Sequence, residues 1–323
     1  MERTKKVLKI AKLELQENAA WFMRQAGRFL PEYESLKFGK PFLEFIKDPD
    51  TVEKVSLLPL KYFDTDAIVI FTDILLPFTK LDYQLSYENG ISVKEGRSED
   101  FDYYAPLSTG LKKISEERSD KTIIGVVGGP FTTLSYLYDG GKNGYHRSKE
   151  ALATEGNSLL KTMTDEIIEF ARLQVRSGAD MIQIFDSWIG NVSEAYYEKH
   201  LSVNESYFVE KVKEIGKPVI FFSEGSSHLY SKLLRLKSDV FSIDWRMDLS
   251  DFKQLCDDCV VQGNMDPYLL GTEDNYLVNE TRRILDQGRE FSGHIFNLGH
   301  GVPPWADWKK IALITDTVHG YER

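Results

Sequence analysis

The stretch Thr122–Leu137, TIIGVVGGPFTTLSYL, changes character in its middle. Thr122–Val127 is a short apolar run rich in β-branched residues, the pattern of a buried strand. Gly128-Gly129-Pro130 comes next as a tight turn, and a helix is predicted beyond it. A strand that runs through such a turn into a helix is the unit from which parallel sheets covered by helices are built.

The unit recurs. Apolar runs of similar length lie at Trp21–Gln25, Ala67–Phe71, Met181–Phe185, Pro218–Phe222, Val240–Ile243, Val260–Gly263 and His294–Leu298. Helical patterns lie between most of them: Thr51–Tyr62 after Asp48-Pro49-Asp50, Ser148–Ser177 with Gly178 as its stop, Asn275–Asp286, and Trp308–Val318. Eight strand units point to a distorted (β/α)₈ TIM barrel, one α/β domain over residues 1–323, with an open doubly wound sheet as the rival. The connections after the runs at 218 and 240 are short, so their helices must be clipped. Between the runs at 67 and 122 lies LDYQLSYENGISVKEG, residues 81–96, which alternates and carries Glu88-Asn89-Gly90. It predicts a small β-hairpin inserted after strand 2.

Composition narrows the function classes. The chain has 323 residues, 42% hydrophobic and 28% charged, enough for a large core under a charged surface. A net charge of -10 argues against nucleic acid as a partner. It also means that an anionic ligand must be attracted by local cations against the global field. No apolar run approaches the roughly 20 residues of a membrane helix, and the N-terminus has no signal-peptide core, so a cytoplasmic protein is expected. Two cysteines exclude a disulfide framework and suit a reducing compartment. They form Cys256-Asp257-Asp258-Cys259, but two ligands cannot close a zinc site. Cys259 is expected to face the core, with no redox or metal role.

Polar and small residues gather at the predicted C-terminal strand ends, the face that carries chemistry in barrels. Arg24 and Arg28 are two permanent cations joined by a small-residue link, suited to carboxylate or phosphate. Asp73 sits in the apolar VIFTDILLPF, where a carboxylate needs a partner. It is a member of a structural pair or a helix cap, or else an acceptor for ligand N–H groups or a stabiliser of positive charge. Tyr136 lies one turn into the helix after Gly128-Gly129-Pro130. Ser187 lacks a nucleophile elbow and reads as a hydrogen-bond donor. His300, between two glycines, suits ligand contact or proton transfer. There is no Walker, Rossmann or HExxH fingerprint, and nothing asks for a cofactor or metal.

Six segments in order, MRQAGRFLPEY, FTDILLPF, GGPFTTLSYL, IQIFDSW, QGNMDP and FNLGHGVPP, resemble the uroporphyrinogen decarboxylase family from about residue 15 to the C-terminus. The resemblance implies a distorted barrel, commonly a homodimer, without metal or prosthetic group. It implies removal of CO₂ from the four acetate arms of uroporphyrinogen to give coproporphyrinogen. It further implies that Arg24 and Arg28 bind substrate carboxylates, with Gln25 beside them, and that Asp73 accepts the pyrrole N–H groups. Tyr136, Ser187 and His300 would line the pocket. Arg24, Arg28 and His300 acting through water all remain open as proton donor.

The chain departs from that pattern in places. FFSEGSSHLY carries Glu224 where the resemblance leads to lysine-glycine, and PPWADWKK replaces an acidic start of the last helix. Two other readings stand beside the decarboxylase. A zinc-dependent corrinoid methyltransferase would need a His-x-Cys pair, which is absent from the sequence. A tetrapyrrole carrier would bind without turnover.

Overall fold

The computed structural model describes residues 5–88, 90–96, 101–141, 145–154 and 158–322. In chain order the strands are β1 (Ala67–Val69), β2 (Tyr83–Ser86), β3 (Ser92–Glu95), β4 (Thr122–Gly128), β5 (Met181–Phe185), β6 (Val219–Phe222), β7 (Val240–Ser242), β8 (Val260–Gln262) and β9 (Gly293–Ile295). β1 and β4–β9 form one parallel sheet in sequence order. β2 and β3 pair antiparallel, Tyr83 opposite Glu95 and Ser86 opposite Ser92, so the inserted hairpin is present. Asn89 of its expected turn lies outside the described residues.

Strand alternation divides the apolar residues into two cores. Ile123, Ile182, Ile184, Phe221, Phe241 and Val261 face outward and pack under the helices. Ile124, Met181, Ile220, Val240, Val260 and Ile295 face inward, where Val7 and Ile10 of the first helix, Lys6–Ala11, join them. That helix plugs the end of the barrel opposite the strands' C-termini. A buried polar layer lies in the same interior. The Trp21 indole donates to Gln262 Oε1 at 2.8 Å, and Gln262 Nε2 donates to Ser242 at 2.9 Å and Gln183 at 3.2 Å.

The expected first strand, Trp21–Gln25, is corrected. The ring closes instead through Ala19–Trp21, which forms a single bridge rather than a ladder. Phe296 N–H donates to the Ala19 carbonyl at 2.8 Å and Trp21 N–H to the Phe296 carbonyl at 3.3 Å; on the other edge Asp66 N–H donates to Ala20 at 2.8 Å. Beyond Trp21 the backbone groups that a ladder would use are taken by side chains. Phe22 N–H donates to Gln25 Oε1 at 3.1 Å and Met23 N–H to Asn297 Oδ1 at 3.2 Å. The apolar run is buried as expected, but in a turn.

The helices obey their local signals. Asp48 caps Pro49–Leu57, and Pro59 lies in the 3₁₀ segment Leu58–Lys61 that continues it. The predicted Ser148–Ser177 helix is two helices, His146–Thr154 and Ser158–Arg176; residues 155–157 lie outside the described ones. Connections after β6 and β7 carry only Tyr230–Leu233 and Leu249–Lys253 as α-helix, the clipping that their lengths predict. Among the described residues, no helix is long and apolar enough to cross a membrane.

Candidate active site

At the C-terminal ends of the strands opens a cleft of about 330 Å³. Trp21, Val126, Phe185 and Phe222 contribute its apolar inner surface, and Ile91 of the hairpin reaches its edge. Of the residues singled out in the sequence, Arg24, Gln25, Asp73, Tyr136, Ser187 and His300 line it; Arg28 does not.

Arg24 is set at the turn by a left-handed backbone, φ 59°, and packs along Gly301. Its guanidinium has no ion-pair partner among the described residues, so the cation is available to a ligand. Gln25, buried beneath it, donates to the Ala67 carbonyl at 2.8 Å and accepts from Phe22 N–H and Thr65 Oγ1, each at 3.1 Å. Those contacts give it a role in positioning the Arg24 turn. Arg28 is exposed on the next turn, where its charge acts on Tyr33.

Asp73 comes after β1 and accepts the Leu75 N–H at 2.7 Å, which is a local cap. The helix-cap reading therefore holds for one oxygen of this carboxylate, and the side chain lines the cleft. Burial pushes its carboxyl up, while Leu75 N–H and the nearby Tyr87 hydroxyl act in the opposite sense. Across the cleft the Tyr136 phenol is pushed up to about 12, by burial first and Asp73 second, with Arg24 opposing. It is therefore a neutral donor at physiological pH. Its ring meets Trp188 at 4.3 Å, and Tyr145 meets Trp188 from elsewhere at 5.2 Å.

Ser187 and Trp188 are held by the residue before them. Asp186 Oδ1 accepts the Thr132 N–H at 2.9 Å and its hydroxyl at 2.6 Å, and the same hydroxyl accepts Trp188 N–H at 3.0 Å. Gly129 permits this approach, since a Cβ there would fall 2.2 Å from that of Asp186. Glu205 faces Asp186 from the helix Ser202–Lys213, and both are fully buried. Burial first, and the Asp186 charge second, push the Glu205 carboxyl well above its ordinary range. Burial likewise raises Asp186 to about 6. One proton shared by the pair satisfies oxygens that have no other donor among the described residues.

His300 enters beside Arg24, its Nε2 3.5 Å from Glu224 Oε2. Burial lowers its proton affinity most, Arg24 and Arg246 add to that, and Glu224 and Asp244 oppose it. Glu224 also pairs with Arg246 at 3.0 Å, whose other nitrogen reaches Asp244 at 2.7 Å and whose guanidinium covers Trp245. The carboxylate at 224 thus has one oxygen on Arg246 and the other turned to His300. Trp188, Thr132 and Ile91 line the cleft without having been singled out as contacts in the sequence. Trp188 stands in IQIFDSW, beside Ser187, which gave a signal. Ile91 depends on how the hairpin folds back and gave none.

Far from the cleft, Cys256 and Cys259 are joined as a disulfide, with Cα atoms 5.8 Å apart. In the sequence their spacing is weighed only as a ligand pattern and does not pair them. Cys259 is buried, as expected.

Known proteins share this chain's pattern over nearly its whole length. The family description "Uroporphyrinogen decarboxylase (URO-D)" matches residues 2–321. A uroporphyrinogen decarboxylase of Picrophilus torridus is 34% identical over 317 residues, covering 94% of this chain and 95% of that protein. That of Aquifex aeolicus is 32% identical over 315 residues, 93% of each. Among solved structures, a methyltransferase from Methanosarcina mazei superposes with a TM-score of 0.76 at 16% identity, over 98% of each chain. That likeness speaks for the barrel alone. The chain belongs to the uroporphyrinogen decarboxylase family.

Proposed function

We propose that this family member is a uroporphyrinogen decarboxylase, a carboxy-lyase that removes CO₂ from the four acetate arms to give coproporphyrinogen. The observation that carries the reading is one cleft lined both by a carboxylate, Asp73, and by a guanidinium, Arg24, that has no ion-pair partner among the described residues. Loss of CO₂ leaves an electron pair that must be accepted. A pyrrole protonated at a ring carbon accepts it, and is cationic until it does. Asp73, fixed by Leu75 and partly buried on the cleft wall, stabilises that cation without reorganising. Its outward oxygen receives the pyrrole N–H groups.

Arg24 holds the carboxylate of the arm, which orients the bond to be broken. Tyr136 and Ser187 donate hydrogen bonds to the remaining arms, and His300 sits where a proton can be delivered. Arg28, outside the cleft, attracts the polyanion at the approach. We assign the enzyme to the cytoplasm, acting as a homodimer and without a metal or organic cofactor.

The zinc methyltransferase reading has less support. Among the described residues no group of three or more His, Cys, Asp or Glu is placed to hold a metal ion. The test is anaerobic incubation of purified protein with uroporphyrinogen, then chromatography. Hepta- to tetracarboxylate products are expected, at a rate EDTA leaves unchanged. Tight binding without any of these products would leave a carrier.

A further inference from the structure

We propose that Glu224 is a positioning residue of the reaction, keeping His300 supplied with the proton that each decarboxylation consumes. The inference rests on the decarboxylase reading and extends it to a residue which that reading does not use.

The proton balance sets the need. When an arm's C–CO₂ bond breaks, its electron pair ends in a C–H bond of the new methyl group. One proton is taken up per CO₂ released, and four per substrate. The group that delivers it must be recharged from solvent every time. Arg24 lines the cleft, but a guanidinium scarcely releases protons at neutral pH. His300 lines the cleft too, and an imidazole does exchange protons there.

Left to itself, the site holds that imidazole in the wrong state. Its surroundings remove water, and Arg24 and Arg246 both repel a second positive charge. The groups on the other side of the balance are Glu224 and Asp244. Asp244 is committed elsewhere: it accepts the Gly225 N–H at 2.5 Å and the Arg246 guanidinium at 2.7 Å. Glu224 has one oxygen on Arg246 at 3.0 Å and the other turned to His300 Nε2 at 3.5 Å.

Glu224 is also placed to connect solvent with the cleft. Its side chain is 24% exposed and that of His300 25%. Its backbone N–H is fixed to the Ser187 carbonyl at 3.3 Å, so the loop is anchored to the cleft wall. The imidazolium gives its proton toward the substrate, and the carboxylate beside it favours uptake of the next one from water. Arg246 keeps that carboxylate aimed.

Two variants separate this from a role in merely holding the loop. Glu224→Gln and Arg246→Gln both break the pair between them. If the pair only holds the loop, both change the pH dependence of kcat/KM alike, or not at all. If Glu224 acts through His300, the variants move the basic limb in opposite directions. Glu224→Gln removes the stabilising charge and shifts the limb to lower pH, with turnover at pH 8 falling about 5- to 10-fold. Arg246→Gln removes a repelling charge and shifts it to higher pH. Shifts in the same direction, or a Glu224→Gln profile that overlays the wild type, overturn the proposal. Circular dichroism of each variant checks folding, and Arg246→Gln alone still tests the sign if Glu224→Gln does not fold. An absence of products from wild-type protein at every pH would instead remove the decarboxylase reading beneath it.

Discussion

Gly301 lies so close to Arg24 that a methyl group on it would come within 2.5 Å of Cδ and 3.0 Å of Nε. The glycine after His300 therefore sets where the Arg24 guanidinium points. Gly301→Ala should displace Arg24 while leaving the barrel intact. A misplaced orienting group costs the transition state more than it costs folding. We expect kcat/KM for uroporphyrinogen to fall about 10- to 100-fold, with the melting temperature nearly unchanged. Equal losses of stability and activity would show that the glycine serves packing instead.

Asp73→Asn keeps the size of the side chain and an oxygen for the Leu75 N–H, but removes the charge. Turnover should fall by at least about 100-fold, the usual effect of deleting a preorganised electrostatic contact. The fold should persist. The wild-type carboxyl is raised by burial, and the reaction needs it ionised. Activity should therefore be lost, as pH falls, at a higher pH than an ordinary aspartate would give. A variant with wild-type turnover would leave Asp73 as a cap only.

The two arginines should not behave alike. Arg24 lines the cleft and Arg28 stands outside it. Arg24→Ala should lower kcat. Arg28→Ala should mainly raise KM, by about 3- to 10-fold at low salt, with the difference fading as salt screens the approach. Steady-state kinetics at two ionic strengths would distinguish them, and a kcat loss for Arg28→Ala would place it at the reacting arm after all.

Much of the fold was legible in the sequence because it depends on local pattern. The runs at 122, 181, 218, 240 and 260 are strands, since a barrel strand is buried on both faces and reads as uninterrupted apolar residues. Trp21-Phe22-Met23 looks the same but is a turn. Its amides are bonded by Gln25 and, from 274 residues away, by Asn297, which no local window contains. The site divides similarly. Asp73, Tyr136, Ser187 and His300 lie at strand ends or just beyond and could be read from their positions. The Glu205–Asp186 pair could not. It joins a helix to a strand end, and a lone glutamate within a helix suggests a solvated face until its depth is known.

That buried pair couples stability to pH. Both carboxyls are raised above their unfolded values by burial, so the folded protein binds more protons than the unfolded chain above about pH 4. Stability contributed by the shared proton is present at acid pH and is lost as pH rises through about 6 and beyond. Glu205→Gln replaces the proton with an amide that donates to Asp186 without titrating. The variant should match the wild type near pH 5 and exceed it near pH 8 by on the order of 1–2 kcal/mol, with a flatter slope between. Urea unfolding at several pH values measures this directly. Parallel pH curves for the two proteins would mean that Glu205 is ionised and paired in some other way.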